Sequence, residues 1–150
     1  MTKNTTQLMR FSQRFKKYYA RQFAPLLAET DLTMREIHVL LFLTNNPGCD
    51  TARDVVELRG LAKSQVSQAV ELLAGRGLLR RTADGGDRRV VHLEITEAGA
   101  PLAARARDIQ ADCGRRLLEG LTPEESDQFN RLLAKVFARA EQLMEKEISE

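Results

Sequence analysis

Apolar side chains recur at helical spacing along most of the chain. Between residues 7 and 28 they fall at Leu8, Phe11, Phe15, Tyr18, Tyr19, Phe23, Leu26 and Leu27, which predicts an amphipathic helix. Thr33-Met34-Arg35-Glu36 reads as a capping box, with the Thr side chain accepting an amide bond and Glu36 reaching back to the cap. It opens a helix with Ile37, Leu40, Leu41 and Thr44 on one face, stopped at Asn46-Pro47-Gly48. Thr51-Ala52-Arg53-Asp54 is a second capping signal, for a short helix carrying Val55 and Leu58. Arg59-Gly60-Leu61 turns the chain. The next helix, over residues 64 to 76, buries Val66, Val70 and Leu73 and ends at Gly75 or Gly77.

The period then changes. Val91, Leu93 and Ile95 alternate with His92 and Glu94, the period of two expected of a half-buried strand. Leu78 to Ile95 therefore reads as a two-stranded hairpin with Asp87-Arg88-Arg89 at its tip, and Asp84-Gly85-Gly86-Asp87 is expected to supply the positive-φ residues of a tight turn. Thr96 can cap the following helix, whose stripe is Leu102, Ala106, Ile109, Cys113 and Leu117; Gly99 and Pro101 leave its first turn open. Thr122-Pro123-Glu124-Glu125 is a capping box with proline at the first helical position. The last helix is expected to bury Phe129, Leu132, Leu133, Val136, Phe137, Ala140, Leu143 and Met144.

These elements predict a mainly α protein with a small β-hairpin wing. Residues 1–150 read as one domain, with a winged helix-turn-helix lobe over about 33–96 and long dimerisation helices over about 7–28 and 97–147. The elongated apolar stripes at both ends suggest helices that pack on each other and on a partner chain; the alternative is that they cover the middle module within one monomer.

No apolar run approaches the ~18 residues of a membrane span, the longest lying around Val39 to Leu43. The N-terminus lacks the apolar stretch and cleavage site of a signal peptide, so a cytoplasmic location is expected. The net charge of +2 hides an asymmetry. Before Glu29 there are six cations (Lys3, Arg10, Arg14, Lys16, Lys17, Arg21) and no acid; from Arg53 to His92 there are eight cations and five acids. From Glu119 onward eight acids face four bases. A phosphate-binding surface needs local cations rather than a large total, although solvated faces of an ordinary domain explain any one cluster equally well.

The second helix of a helix-turn-helix enters the major groove with its N-terminal residues against base edges. Ser64, Gln65 and Gln68 share one side of that helix, opposite Val66, Val70 and Leu73, while Ser67 lies between the faces. Gln pairs bidentately with adenine, so Gln65 and Gln68 are the candidate base readers. Thr51, Lys63 and Ser67 would set position on the phosphates. From this helix alone a polar surface helix is an equal reading. The adjacent hairpin adds Arg88 and Arg89, and arginine favours narrow, electronegative minor grooves. Asp87 is placed to hold the Arg89 guanidinium by a charge-assisted bond, or merely to form a surface ion pair with it.

Leu61-Ala62-Lys63-Ser64-Gln65-Val66-Ser67, Gly77-Leu78-Leu79-Arg80-Arg81, Asp87-Arg88-Arg89, Val91-His92-Leu93-Glu94-Ile95-Thr96 and the closing Thr96-Glu97-Ala98-Gly99 resemble the MarR family of bacterial regulators. The order of elements matches over nearly the whole chain, and the wing is the most specific part. The resemblance implies a homodimer with intertwined terminal helices, whose two winged modules straddle a palindromic operator in double-stranded DNA. It makes Arg89 the minor-groove arginine and Asp87 its orienting partner. It further implies repression relieved by a small, often aromatic or phenolic, effector. One departure is Ala62, where relatives often have Ser, so a capping or phosphate hydroxyl is missing.

Other chemistry has little support. Cys49 lies in a loop and Cys113 on an apolar stripe, and the two cysteines and two histidines, His38 and His92, are dispersed, which argues against a metal site. No phosphate-binding glycine loop, nucleophile elbow or selected carboxylate pair points to an enzyme or a cofactor. The competing expectations are a winged-helix module that binds protein, and a DNA-binding regulator switched by oxidation of Cys49.

Overall fold

The computed structural model describes residues 2–148, with side chains from 4 to 145. Its elements are α1 (Thr2–Gln22), α2 (Ala24–Thr30), α3 (Met34–Asn45), α4 (Ala52–Arg59), α5 (Lys63–Gly75), β1 (Leu79–Ala83), β2 (Val91–Ile95), α6 (Ala100–Leu118) and α7 (Pro123–Ile148). The chain divides into two units, one up to Cys113 and one from Gly114. Among the described residues no helix is long and apolar enough to cross a membrane.

The single helix expected over residues 7–28 is two. Pro25 has no amide proton and cannot continue the ladder of α1, so the chain breaks at Phe23 and restarts as α2 with Pro25 in its first turn. The break turns Phe23 and Leu26 into the core, where they are 0% and 1% exposed. Arg76 holds the far end of α2, donating to the carbonyls of Thr30 at 2.6 Å and Asp31 at 3.2 Å.

Helix α3 is the centre of the first unit. It buries Ile37, Val39, Leu40, Leu41 and Phe42, more than the single face expected. Its N-cap is Thr33, whose backbone N–H and hydroxyl both donate to the buried Glu36 carboxylate, at 2.7 and 2.6 Å. Val66, Ala69, Val70 and Leu73 of α5 join the same core as α3. Helix α5 ends in a Schellman turn: Gly77 takes φ +71°, its N–H donates to the Ala74 carbonyl at 3.0 Å, and Leu78 N–H donates to Leu73 at 2.9 Å. This reverses the chain directly into β1.

Strands β1 and β2 are antiparallel, pairing Leu79 with Ile95, Arg81 with Leu93 and Ala83 with Val91. Strand β2 is also tied on its other side, because Thr51 bridges His92 and Leu93 N–H donates to the Asp50 carbonyl at 2.7 Å. Thr96 closes the base of the hairpin: its hydroxyl donates to the Gly77 carbonyl at 2.6 Å and accepts from Gly99 N–H at 3.1 Å. Helix α6 then starts at Ala100, with Pro101 in its first turn, where the missing amide costs nothing.

The last helix departs from expectation. On α7, Phe129 is 44%, Leu132 51%, Val136 59% and Phe137 57% exposed, and Leu143 and Met144 are likewise open; only Leu133 and Ala140 are half-buried. The stripe has helical spacing, but most of its side chains are open among the described residues. Leu58 of α4 and Leu117 of α6, expected on apolar faces, are exposed as well.

Gly99 sits where the hairpin base meets α6, and a Cβ there would collide with the Leu78 carbonyl and crowd Ile95. Gly99→Ala should therefore cost about 2 kcal/mol or more, through forced displacement of buried backbone. Thermal unfolding checks this, and an unchanged Tm would refute it.

Candidate nucleic-acid interface

Burial of Val66, Ala69, Val70 and Leu73 turns the opposite side of α5 outward. Lys63, Ser64, Gln65, Ser67 and Gln68 are all exposed there. The N-cap is Ala62, which has no side-chain acceptor. Gln65 partly compensates, its Oε1 accepting the Ala62 backbone N–H at 3.2 Å. Gln68 Oε1 accepts a 2.7 Å hydrogen bond from the guanidinium of Arg35 at the start of α3. Thr51, expected to position phosphate, caps α4: its hydroxyl donates to the Asp54 carboxylate at 2.7 Å and accepts from Asp54 N–H at 3.1 Å. Donation from the Thr51 hydroxyl, and from its backbone N–H at 3.0 Å, holds the Asp54 carboxyl below the usual carboxylate range.

The wing tip is built differently from the expected tight turn. Neither Gly85 nor Gly86 has positive φ; among the described residues those positions are Asp31, Gly48, Gly60 and Gly77. The reversal is spread over the longer loop between β1 and β2, so left-handed residues are not needed. The Asp84 carboxylate braces it, accepting from the backbone N–H of Gly86 at 2.9 Å and of Asp87 at 3.0 Å. Asp84 N–H donates to Val90, and Val90 N–H to Asp87, both at 3.0 Å. Asp87 Oδ1 then accepts from Arg89 twice, from its backbone N–H at 2.9 Å and its Nε at 3.4 Å. The Arg89 side chain is 93% exposed, held from behind and open in front. Arg88 beside it is exposed too.

His92, isolated in the sequence, lies between two carboxylates in the fold: Nδ1 is 2.9 Å from Asp50 and Nε2 2.9 Å from Asp84. It thus joins the loop before α4 to the wing. Both contacts push the His92 pKa up, the Asp84 bond most. His92, with the two loop amides, holds Asp84 down to about 2. No local pattern could have revealed the contact with Asp50, 42 residues away. His38 is half-buried and its pKa falls to about 4, first through desolvation and then through the nearby Arg59 charge. Asn45 donates to Gln110 at 2.7 Å and Gln110 to the Tyr19 hydroxyl at 3.0 Å. Cys49 is half-buried against the core and Cys113 is 2% exposed. Among the described residues no three His, Cys, Asp or Glu side chains cluster as metal ligands.

A three-helix core, an outward polar helix face and a braced arginine-tipped hairpin define a winged-helix protein, and solved structures share the arrangement. A regulator from Methanosarcina mazei Go1 superposes with a TM-score of 0.80 at 16% identity, covering 92% of this chain and 99% of that one. Bordetella bronchiseptica BpsR, whose DNA binding is regulated by 6-hydroxynicotinic acid, gives 0.66 at 25% identity over 87% of this chain and 98% of its own. The MarR family model matches residues 30–90. The transcriptional repressor MprA of Escherichia coli K12 is 27% identical over 84 residues, 56% of this chain but 48% of MprA, so the match spans about half of that relative. The repressor IacR of Pseudomonas putida is 27% identical over 126 residues, 83% of this chain and 74% of IacR. Over residues 30–90 the chain is similar to the MarR family, and its fold is the winged helix that these solved structures share.

The His92 bridge makes the wing pH-dependent. A raised histidine pKa contributes stability that is complete below 6.5 and lost as pH rises through the higher folded value. The depressed Asp84 pKa contributes above 3.8 and is lost only as pH falls towards about 2. The bridge is therefore strongest between those limits. Protection of the amides in the loop 84–90, taken relative to their intrinsic exchange rate at each pH, should fall as pH rises past the elevated histidine pKa, and in His92→Gln it should be low throughout. An identical pH step in the variant would show that His92 is not the latch.

Proposed function

We propose that this chain is a homodimeric transcriptional repressor that holds a palindromic operator and releases it on binding a small effector. The observation that carries the reading is the pairing, on one lobe, of an outward polar helix N-terminus with a hairpin whose arginine is braced from behind and open in front. In this reading residues of about 33–96 form the DNA-binding lobe. Helix α5 enters the major groove, Gln65 and Gln68 meet base edges, and Ser64 serves base edges or phosphate. Lys63, Ser67 and the N-terminus of α4 take the phosphates, where the helix dipole matters more than Thr51 itself, whose hydroxyl and backbone N–H both donate to Asp54. Arg89, oriented by Asp87, enters the minor groove with Arg88 beside it.

The terminal helices, about 7–28 and 97–147, are the dimerisation elements. Leu8, Met9 and Phe11 of α1 are 64%, 66% and 49% exposed, and α7 has its own open stripe. A second copy is the natural cover for such faces. The effector reading is supported by BpsR, which answers to a hydroxylated aromatic acid. By the same logic a small aromatic or phenolic compound would shift this dimer towards a spacing of recognition helices that no longer fits half-sites about one helical turn apart.

Arg89→Ala tests the wing. Its side chain is almost fully solvated, so the variant should fold normally yet bind duplex from upstream of its own gene at least about tenfold more weakly. Unchanged affinity in a folded variant would remove the wing from the mechanism.

A further inference from the structure

The two glutamines on the α5 surface are not equivalent to free amides. Each has its carbonyl oxygen engaged within the protein: Gln65 Oε1 by the Ala62 N–H at 3.2 Å, Gln68 Oε1 by the Arg35 guanidinium at 2.7 Å. Both assignments are forced by chemistry, because a backbone N–H and a guanidinium are donors only, so the amide atom facing them must be the oxygen. The amide nitrogens are thereby directed away from these partners. Arg35, half-buried at the start of α3, adds N–H groups of its own beside Gln68.

We propose that Arg35 is a specificity-determining residue: by engaging the Gln68 oxygen, it turns the reading surface of α5 into a face of hydrogen-bond donors that selects guanine over adenine. The inference rests on the proposal that α5 reads the major groove. Guanine presents only acceptors there, N7 and O6, which match a row of N–H groups. Adenine presents N7 and an N6 amine. Its bidentate pairing with glutamine needs the oxygen as acceptor for that amine, and here the oxygen faces a guanidinium. An adenine opposite Gln68 would have to place its amine on that oxygen's remaining lone pair, beside the Arg35 cation, whereas the two acceptors of guanine meet the amide nitrogen and the other guanidinium N–H groups. The ordinary pairing of glutamine with adenine is thus disfavoured by a residue 33 positions away in sequence.

The test is selection of binding sites from a random-sequence duplex pool by the intact protein and by Arg35→Ala, Arg35→Lys and Gln68→Ala, each checked for an unchanged circular dichroism spectrum. The base position read by Gln68 is the one whose preference changes in Gln68→Ala. Wild type should select guanine there. Arg35→Ala should lower the guanine-to-adenine ratio by roughly tenfold, the scale of one good base contact, while Arg35→Lys, which keeps a donor, should retain guanine. Selection of adenine by wild type overturns the proposal, as does a preference altered by Gln68→Ala but not by Arg35→Ala. If Gln68→Ala alters no position, or the pool yields no preferred site, α5 is not the reading helix and the failure lies in that premise.

Discussion

The packing of α5 on α3 governs what the rest of the molecule can do. Val66, Ala69, Val70 and Leu73 enter the shared core, each contributing on the order of 1–3 kcal/mol by leaving water. Because successive residues lie about 100° apart around a helix, burying those four leaves a single rotation for α5. Ser64, Gln65 and Gln68 face outward for that reason, and no force acting on them directly is needed. The Schellman turn at Gly77 transmits the orientation onward, since β1 starts two residues later with Leu79 in the same core.

The wing is tied to that frame at its base and its middle. Thr96 joins the end of β2 to Gly77 and Gly99, and Asp50 and Thr51 pair with β2 from the other side. Along the loop, each carboxylate restrains the residues just after it: Asp84 holds the turn amides and Asp87 holds Arg89. His92 closes the circuit by linking Asp84 to Asp50. A long exposed loop is ordinarily mobile, and this one is restrained by charged hydrogen bonds instead of by an apolar core. The arrangement orients an almost fully solvated guanidinium, as the proposed groove-reading role of Arg89 requires.

Much of the fold is legible in the sequence because its signals are local. The capping boxes at Thr33, Thr51 and Thr122 each mark a helix start, and the change from helical to alternating period marks the hairpin. The Asp87–Arg89 contact comes from a spacing of two residues. The break at Phe23 is hidden because the apolar spacing runs on through Pro25, and periodicity outweighs the missing amide. Gly85 and Gly86 suggest a tight turn, whereas Asp84 supports a longer loop without positive φ. The burial expected along α7 fails in the isolated chain, because an amphipathic pattern records that a face will be covered but not by what. The bonds of Arg35 to Gln68 and His92 to Asp50 join residues 33 and 42 apart, beyond any local reading.

The central claim is that this lobe holds DNA by phosphate contacts and base readout together. The most direct measurement is binding of the purified protein to duplex from its own upstream region, at two salt concentrations and against random duplex as competitor. Tight binding that weakens steeply with salt, through released counterions, and survives the competitor is the predicted result. Weak binding, equal on both duplexes and indifferent to salt, would contradict it and leave the polar helix face and the wing as a protein-binding surface.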